Sequence, residues 1–475
     1  MASSRKSSRS RPRRPEELAA RIAAQLEGIV KPSDRVVVGL SGGVDSVVLL
    51  DCLLAAARRG GFRLSAVHVN HQLSPNASRW SGFCRRTCRD LGVPLRSVKV
   101  TVRRGNSLEA AARAARYAVF AQQDCDYIVL AHHRDDQVET LFLQLLRGAG
   151  VKGLAAMPLL RGEEGGGRGE AQTLAGAARR SSPPAFRLRP PILRPLLDVT
   201  RSEILDYAKR RNLKWIEDES NRDIEFQRNF IRHEVLPVIA RRFPAYRATV
   251  ARSAYHLAEA ARLLDEVATA DSAGQIEGGT LSVAALRRLP PARARNLMRH
   301  FLARHGVVMP SAERLGEALR QTLSARDDAR MLVALDGAGL RRHAGRLYVV
   351  RAGKPPGRYA WRWRGEKRLA LDELGGELTM NRTIGDGIGL ARLRKGVVTV
   401  RLRRGGERLR PDCRRPTRSL KNLLQEAGIP AWRRERLPLL FCGSELAWVP
   451  GIGVDCAFQA GKREAAVRPE WLPAD

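Results

Sequence analysis

Between Arg35 and Leu146 the chain alternates near-continuous apolar runs with longer stretches in which apolar residues recur every three or four positions. The runs VVVGL (36–40), LSAVHVN (64–70) and DYIVLA (126–131) lack the strict polar alternation of a half-exposed strand and read as strands of a buried parallel sheet. The pattern predicts strands at 35–40, 64–70, 95–102 and 126–131, and helices at 45–57, 78–91, 107–123 and 135–146. Such alternation is the signature of a doubly wound α/β domain, whose ligand is expected outside the carboxyl ends of the strands.

The periodicity then changes. Residues 161–185, RGEEGGGRGEAQTLAGAARRSSPPA, carry many Gly, Ser, Pro and Arg without a period and read as a flexible insertion, after which the α/β domain resumes. RATVARSAYHLAEAARLLDEVA (247–268) and PARARNLMRHFLARHG (291–306) return to three- and four-residue steps, predicting a helical middle domain. After Gly353 come short alternating segments such as VTVRL and LAWVPGIG with one helix near 419–427, the pattern of a small α+β module. The expected organisation is a disordered basic arm and lead-in helix over 1–30, a catalytic α/β domain over 31–234, a helical domain over 235–355 and a C-terminal α+β domain over 356–475.

Charge changes the picture. Lys and Arg total 84 against 49 Asp and Glu, a formal net charge of +35 over 475 residues. That excess points to a polyanionic partner, because basic side chains release counterions on meeting phosphates; an Arg-biased genome is the bland alternative. The seven cysteines form no CxxC pair, and reduced thiols of a cytoplasmic protein are the expectation. No apolar run approaches the length of a membrane span, so no membrane is expected among the partners.

The first predicted strand runs into Ser41-Gly42-Gly43-Val44-Asp45-Ser46 and straight on into a helix. Two glycines allow a sharp turn and close backbone approach, and the hydroxyls of Ser41 and Ser46 lie beside the free N–H groups of the helix start, so the expected ligand is phosphate. No Lys follows the glycines, which excludes a Walker loop, and the third glycine of a dinucleotide fingerprint is missing. An ordinary Gly- and Ser-rich turn is the bland alternative. SGGVDS resembles the PP-loop of the ATP pyrophosphatases, which implies ATP cut between its α and β phosphates. Asp45 beside a phosphate cradle implies an intervening Mg²⁺.

A second constellation, Ala131-His132-His133-Arg134-Asp135-Asp136-Gln137-Val138-Glu139, falls at the end of the 126–131 strand, hence on the same sheet edge. Asp136 and Glu139 share a helical face; Asp136 is expected as a second Mg²⁺ ligand opposite Asp45, and Asp135 as a helix cap. His68 and His71 follow the 64–70 strand, where a nucleotide-lining or hydrogen-bonding role outweighs metal ligation. Arg113 and Arg116 share one helix face and either grip phosphates or form a solvated stripe. Trp432 with Arg433, Arg434 and Lys421 offers cations beside an aromatic ring, suited to RNA or to a small core.

SGGVDS, HVNHQL, SLEAAARAARYAVF, AHHRDDQVETLFLQLLRGAGVKGLAAM, RPLL (194–197) and WIEDESNRDIEFQRNFIRHEVLP, in this order, resemble the tRNA(Ile)-lysidine synthetases, and RGGERLRPDCRRPTRSLKNLLQEAGIPAWRRERLPLL resembles that family's terminal tRNA-binding module. The resemblance implies a PP-loop ATPase-type doubly wound parallel sheet followed by a helical domain and a small α+β domain. It implies ATP and Mg²⁺ as cofactors, and free L-lysine and a CAU-anticodon tRNA(Ile) as substrates, the wobble cytidine being adenylated and then converted to lysidine. A homodimer stays open. On this reading Asp45, Asp136 and Glu139 are catalytic, Asp45 and Asp136 hold the metal, and Ser41, Gly42, Gly43, Val44, Asp45, Ser46, His68 and His132 bind ATP. Asp136 and Glu139 meet the amines of lysine, and Arg228, Asn229 and Arg232 its carboxylate, the two arginines being equally explicable as a solvated face or as tRNA phosphate contacts. RNA contacts fall to Arg113, Arg116, Lys421, Arg433 and Arg434. A tRNA thiolase, a small-molecule synthetase, and a basic RNA-binding protein with a dead nucleotide site are the rivals.

Overall fold

A computed structural model describes residues 15–102, 108–162, 190–326, 331–351 and 359–473. The basic arm expected over 1–14 and nearly all of the 161–185 insertion lie outside the described residues; Arg161 itself ends a short strand. The chain divides into two compact units, residues 1–270 and 271–475.

The first unit opens with α1 (Pro15–Leu26), whose Leu18, Ile22 and Leu26 fall on one face and pack into the core against the next helix. Then β1 (Arg35–Gly39), α2 (Val44–Gly60), β2 (Arg63–Asn70), α3 (Ala77–Asp90), β3 (Leu95–Lys99), α4 (Leu108–Ala121), β4 (Tyr127–Val129) and α5 (Arg134–Leu146) follow, each within a few residues of its predicted span. After the single turn α6 (Val151–Leu154), β5 (Leu160–Arg161) and β6 (Ile192–Leu193) complete a six-stranded sheet of order β3-β2-β1-β4-β6-β5. All pairings are parallel except that of the edge strand β5. The order reverses on either side of β1, so the crevice of this doubly wound sheet opens above its carboxyl end. Val36 and Val38 face one layer, with α1, α2 and α3; Val37 faces the other, with Val119 and Phe120 of α4. A Cβ on Gly39 would sit 2.7 Å from Leu130 Cδ2, so glycine here lets the buried Leu130 side chain fill the space against β1.

α7 (Arg201–Arg210) is tied to α2 through buried Asp51, which accepts from Tyr207 Oη at 2.6 Å and from Arg211 Nε and Nη2 at 3.2 Å each. α8 (Gln227–Phe230) runs through a π-helical turn, Ile231–Val235, into α9 (Leu236–Arg242). Pro237 explains the wide turn: it has no N–H to bond the carbonyl four residues earlier, and its ring crowds that carbonyl. α10 (Tyr246–Ser272) is the long helix that the 247–268 periodicity predicts. Val138, Ile231, Leu236 and Tyr246 form one buried cluster, so the segment after 235, expected to open a separate domain, packs back on α5.

In the second unit the helix predicted over 291–306 is present as α12 (Pro291–Arg304), flanked by α11 (Val283–Arg288) and α13 (Ala312–Ser324). With them comes an antiparallel five-stranded sheet, β7 (Ile276–Glu277), β8 (Thr280–Ser282), β9 (Leu332–Leu335), β10 (Ala338–His343) and β11 (Arg346–Arg351), which the helical reading of 235–355 did not anticipate. Helices and sheet share a core built on Leu281, Leu297, Phe301, Leu340 and Leu347. Residues 359–473 form three further antiparallel sheets, of five, four and two strands, and the core of the larger two includes Leu378, Val400, Leu440 and Trp448. Among the described residues no helix is long and apolar enough to cross a membrane.

Candidate active site

The SGGVDS loop is shaped by its own last serine. Buried Ser46 Oγ accepts from the N–H of Ser41 and of Gly42, both at 3.2 Å, and donates to Gly43 O at 2.9 Å. Ser41 Oγ lies 3.1 Å from Ser46 Oγ and accepts from Gly43 N–H at 3.3 Å. Both hydroxyls, expected as phosphate ligands, are thus engaged in holding the turn. Gly42 takes φ +91°, the left-handed region open to glycine, and its carbonyl accepts from Ile216 N–H at 2.9 Å. Gly43 is the N-cap of α2 and no side chain caps the helix; Val44 buries its side chain and leaves its backbone at the helix start. A 17-residue helix with an uncapped N-terminus, reached through two glycines, is an anion cradle.

Asp45 stands in the first turn of α2, half-buried, with Oδ1 buried and without a hydrogen-bond partner. Burial pushes its carboxyl above the ordinary range, against the pull of His133. Across the crevice, His133, N-cap of α5, places Nε2 3.7 Å from Asp45 Oδ1 and 3.5 Å from Asp136 Oδ2. Asp136 accepts from His133 N–H at 2.9 Å and from Arg228 Nη2 at 2.9 Å. Burial would raise its pKa, but His133 and then Arg228 outweigh that and hold it at about 2. The two carboxylates therefore face one imidazole from opposite elements, as the sheet-edge placement predicts.

Those two carboxylates fit a divalent cation: one has a buried oxygen lacking any partner, the other is fixed as an anion. Among the described residues no cluster of three or more His, Cys, Asp or Glu forms a complete metal cage. Mg²⁺, which takes one or two carboxylates and fills its octahedron with water and phosphate oxygens, suits such a pair better than Zn²⁺.

Several expected ligand contacts are not open. Glu139, 1% exposed, receives Arg228 Nε at 2.7 Å on Oε2, and Arg232 Nε at 2.6 Å on Oε1 with Nη2 at 2.9 Å on Oε2. Its carboxylate and the two guanidiniums expected to hold lysine's carboxylate are paired with one another, and Arg228 also bridges to Asp136. Asn229 directs both amide hydrogens to backbone carbonyls, Ser220 O and Asp223 O, each at 2.8 Å, and so shapes the 218–223 turn. His68 is buried with Nδ1 2.9 Å from Leu40 O and Nε2 3.0 Å from Ser81 Oγ; it clips the end of β1 to α3 and has no nitrogen left for a nucleotide. Asp135 caps nothing in its own helix: it pairs with Arg247 Nε and accepts from Arg201 N–H at 3.1 Å.

His132 keeps Nδ1 buried and unpartnered, and burial drives its imidazole down to about 3, so the ring is neutral. His71, likewise pushed to about 4 by burial, has neither ring nitrogen paired. Arg194, in the RPLL segment, is 1% exposed, donates from Nη1 to Pro158 O at 2.9 Å and leaves Nε unpaired. His133 was expected to converge on the triphosphate with His132 rather than to sit between two carboxylates, and Arg194, inside the quoted RPLL segment, was not singled out by sequence. Arg113 and Arg116 are exposed on α4; Arg113 lies 4.8 Å from the Tyr117 ring centroid and donates to its hydroxyl at 3.1 Å.

In the second unit Trp432 is packed rather than displayed: His343 and Tyr348 meet it edge-on at 5.9 and 5.5 Å, and Arg341 stacks at 5.1 Å. Arg434 donates to Ile429 O at 2.6 Å, whereas Lys421 and Arg433 are exposed.

The PP-loop domain model matches residues 15–239, the TilS substrate binding domain 281–348, and the TilS substrate C-terminal domain 398–471. The chain is 45% identical over 452 residues to the tRNA(Ile)-lysidine synthase of Nitrosomonas europaea, covering 94% of each chain. It is 41% identical over 461 residues to that of an Azoarcus species, covering 96% of each, and 37% identical over 441 residues to that of Coxiella burnetii, covering 92% of this chain and 93% of the relative. With a PP-loop at the switch point of its sheet and full-length relatives of this similarity, the chain belongs to the tRNA(Ile)-lysidine synthase family.

Proposed function

We propose that the protein uses ATP to join free L-lysine to C2 of the wobble cytidine of a CAU-anticodon tRNA(Ile), forming lysidine in the cytoplasm. The observation that carries the reading is the uncapped start of α2 with Asp45 facing Asp136 across the same crevice. A cytosine O2 is a poor leaving group. Its attack on the α-phosphate forms an O–P bond, breaks the α–β bond and releases pyrophosphate. The ε-amine of lysine then bonds to C2, and the oxygen leaves with AMP.

The N–H groups at the start of α2 would hold the triphosphate, and Asp45 with Asp136 would hold Mg²⁺, which offsets charge on the departing phosphates. His133 keeps the two carboxylates at a fixed spacing. Glu139 acts at one remove, by aligning Arg228, which in turn orients Asp136. Arg113 and Arg116 on α4, and Lys421 and Arg433 in the second unit, are exposed cations suited to RNA phosphates. A sulfur-transfer reading fits poorly: Cys52, Cys84, Cys88, Cys125 and Cys442 are all buried, and burial lifts the thiols of Cys52 and Cys84 to about 12.

The test incubates the full chain with a tRNA(Ile) transcript, ATP, Mg²⁺ and labelled lysine. Label should enter the RNA with equal release of AMP. ATP split to AMP without lysine transfer would assign a different acceptor.

A further inference from the structure

Cys413 and Cys456, 43 residues apart in sequence and with Cα atoms 5.5 Å apart, are joined by a disulfide. The expectation of reduced thiols fails at this pair; Cys52, Cys84, Cys88, Cys125 and Cys442 are buried and outside any disulfide. The bonded pair differs in place. Cys413 is exposed on the loop between β12 (Arg408–Leu409) and β13 (Arg418–Ser419), while Cys456 is buried just after β14 (Gly453–Val454).

The base of that loop is held by its main chain, once by backbone and twice by side chains: Cys456 N–H donates to Arg410 O at 2.8 Å, Arg410 N–H to Asp455 Oδ2 at 2.7 Å, and Gln459 Nε2 to Pro411 O at 2.8 Å. Its outer half is held otherwise. A local turn on Asp412, with Arg414 N–H on Oδ1 at 2.9 Å, shapes it, and the sulfur bridge fastens it to the module. Exposed on this loop are Arg410, Arg414 and Arg415, against the single acid Asp412.

We propose that Cys413–Cys456 is a reversible redox-modification site that sets the affinity of this arginine loop for RNA. The inference rests on the proposed tRNA-modifying function. A disulfide in a chain placed in a reducing compartment is one that forms and opens, not a permanent staple. It closes by exchange with a small-molecule disulfide of the glutathione class. The thiolate of exposed Cys413 attacks one sulfur, and the first small thiol leaves. The Cys456 thiolate then attacks Cys413 Sγ of the mixed disulfide, and the second leaves. Two protein thiols give up two electrons and two protons, which the small disulfide carries away as two thiols. Closed, the loop presents its arginines already ordered; open, RNA must order them on binding, at a cost in affinity of about tenfold.

The full chain is equilibrated with oxidised glutathione or with dithiothreitol, then denatured and alkylated, and mass-mapped for Cys413 and Cys456. Binding of a tRNA(Ile) transcript is measured on the same two samples by fluorescence anisotropy. Cys413 and Cys456 alone should be protected in the oxidised sample, and tRNA should bind about tenfold more weakly after reduction. Cys413→Ser and Cys456→Ser should each bind like the reduced chain whatever the buffer. Alkylation of both cysteines after oxidation overturns the site. Protection with equal tRNA affinity in both states overturns its control of RNA binding. No tRNA binding in either state overturns the functional reading and, with it, this inference.

Discussion

Arg232 grips Glu139 with two parallel contacts, Nε to Oε1 at 2.6 Å and Nη2 to Oε2 at 2.9 Å, and Arg228 completes the set from one turn earlier. A carboxylate so held is a positioning group. Removing one partner from a buried pair leaves an uncompensated charge, so Glu139→Ala should cost about 3 kcal/mol in urea unfolding. Glu139→Leu with Arg232→Met should recover part of that loss. Glu139→Ala with full stability but no lysine transfer would return Glu139 to direct contact with substrate.

Asp45 presents the opposite case. Its pKa is raised by burial, so the folded state holds the proton more tightly than the unfolded chain, and the charged form is a liability for the fold at neutral pH. Asp45→Asn should therefore melt at or above the temperature of the parent protein in the absence of ligand. It should also lose the rise in melting temperature that ATP with Mg²⁺ gives, and slow AMP formation by about 100-fold or more. A variant that melts lower without ligand, yet still responds to ATP with Mg²⁺, would remove Asp45 from the cation site.

Asp136 gives a pH signature of known sign. Its folded pKa lies at about 2, below the ordinary 3.8, so its contribution is present above the unfolded value and is lost as pH falls through the folded one. The shift corresponds to about 2 kcal/mol, lost between roughly pH 4 and pH 2. Arg228→Met removes a cation that holds it down and should move the acid-unfolding midpoint, followed by circular dichroism, upward by about half a pH unit or more. An unmoved midpoint would show that His133 and His132, not Arg228, set the ionisation of Asp136.

Much of this site is legible in the sequence, for a physical reason. A buried parallel sheet leaves uninterrupted apolar runs, and a loop that cradles phosphate needs small residues between strand and helix, so VVVGLSGGVDS announces both at once. Topology then put 131–139 on the same edge. Pairing is what sequence conceals: Glu139 reads the same whether it faces an amine or the guanidinium of Arg232, and Asn229 gives no sign that its amide hydrogens go to Ser220 and Asp223. The π-helical turn leaves Pro237 as its only mark in the sequence. The sheet of the second unit escaped because its strands are short and some are arginine-rich, as in AGLRRH, and Cys413–Cys456 because the residues that meet carry no short-range spacing.

Gly42 offers the sharpest separation of strain from function. Its φ of +91° disfavours any side chain, and a Cβ there would stand 2.9 Å from Ile216 Cδ1 and 3.2 Å from Cys84 Sγ. Gly92 also has positive φ, +68°, but a Cβ on it would meet nothing within 4 Å. Gly92→Ala therefore isolates the backbone term, about 1 kcal/mol in urea unfolding, with ATP binding unchanged. Gly42→Ala adds contact with the side chains of Ile216 and Cys84, which must shift in a buried place where the Ile216 N–H also bonds the Gly42 carbonyl at 2.9 Å. It should cost about 2 kcal/mol and weaken ATP binding, measured by titration calorimetry, about tenfold. Equal ATP affinity in the two variants would mean that the cradle tolerates displacement, and that the tight turn at Ser41–Ser46 serves the fold rather than the phosphate.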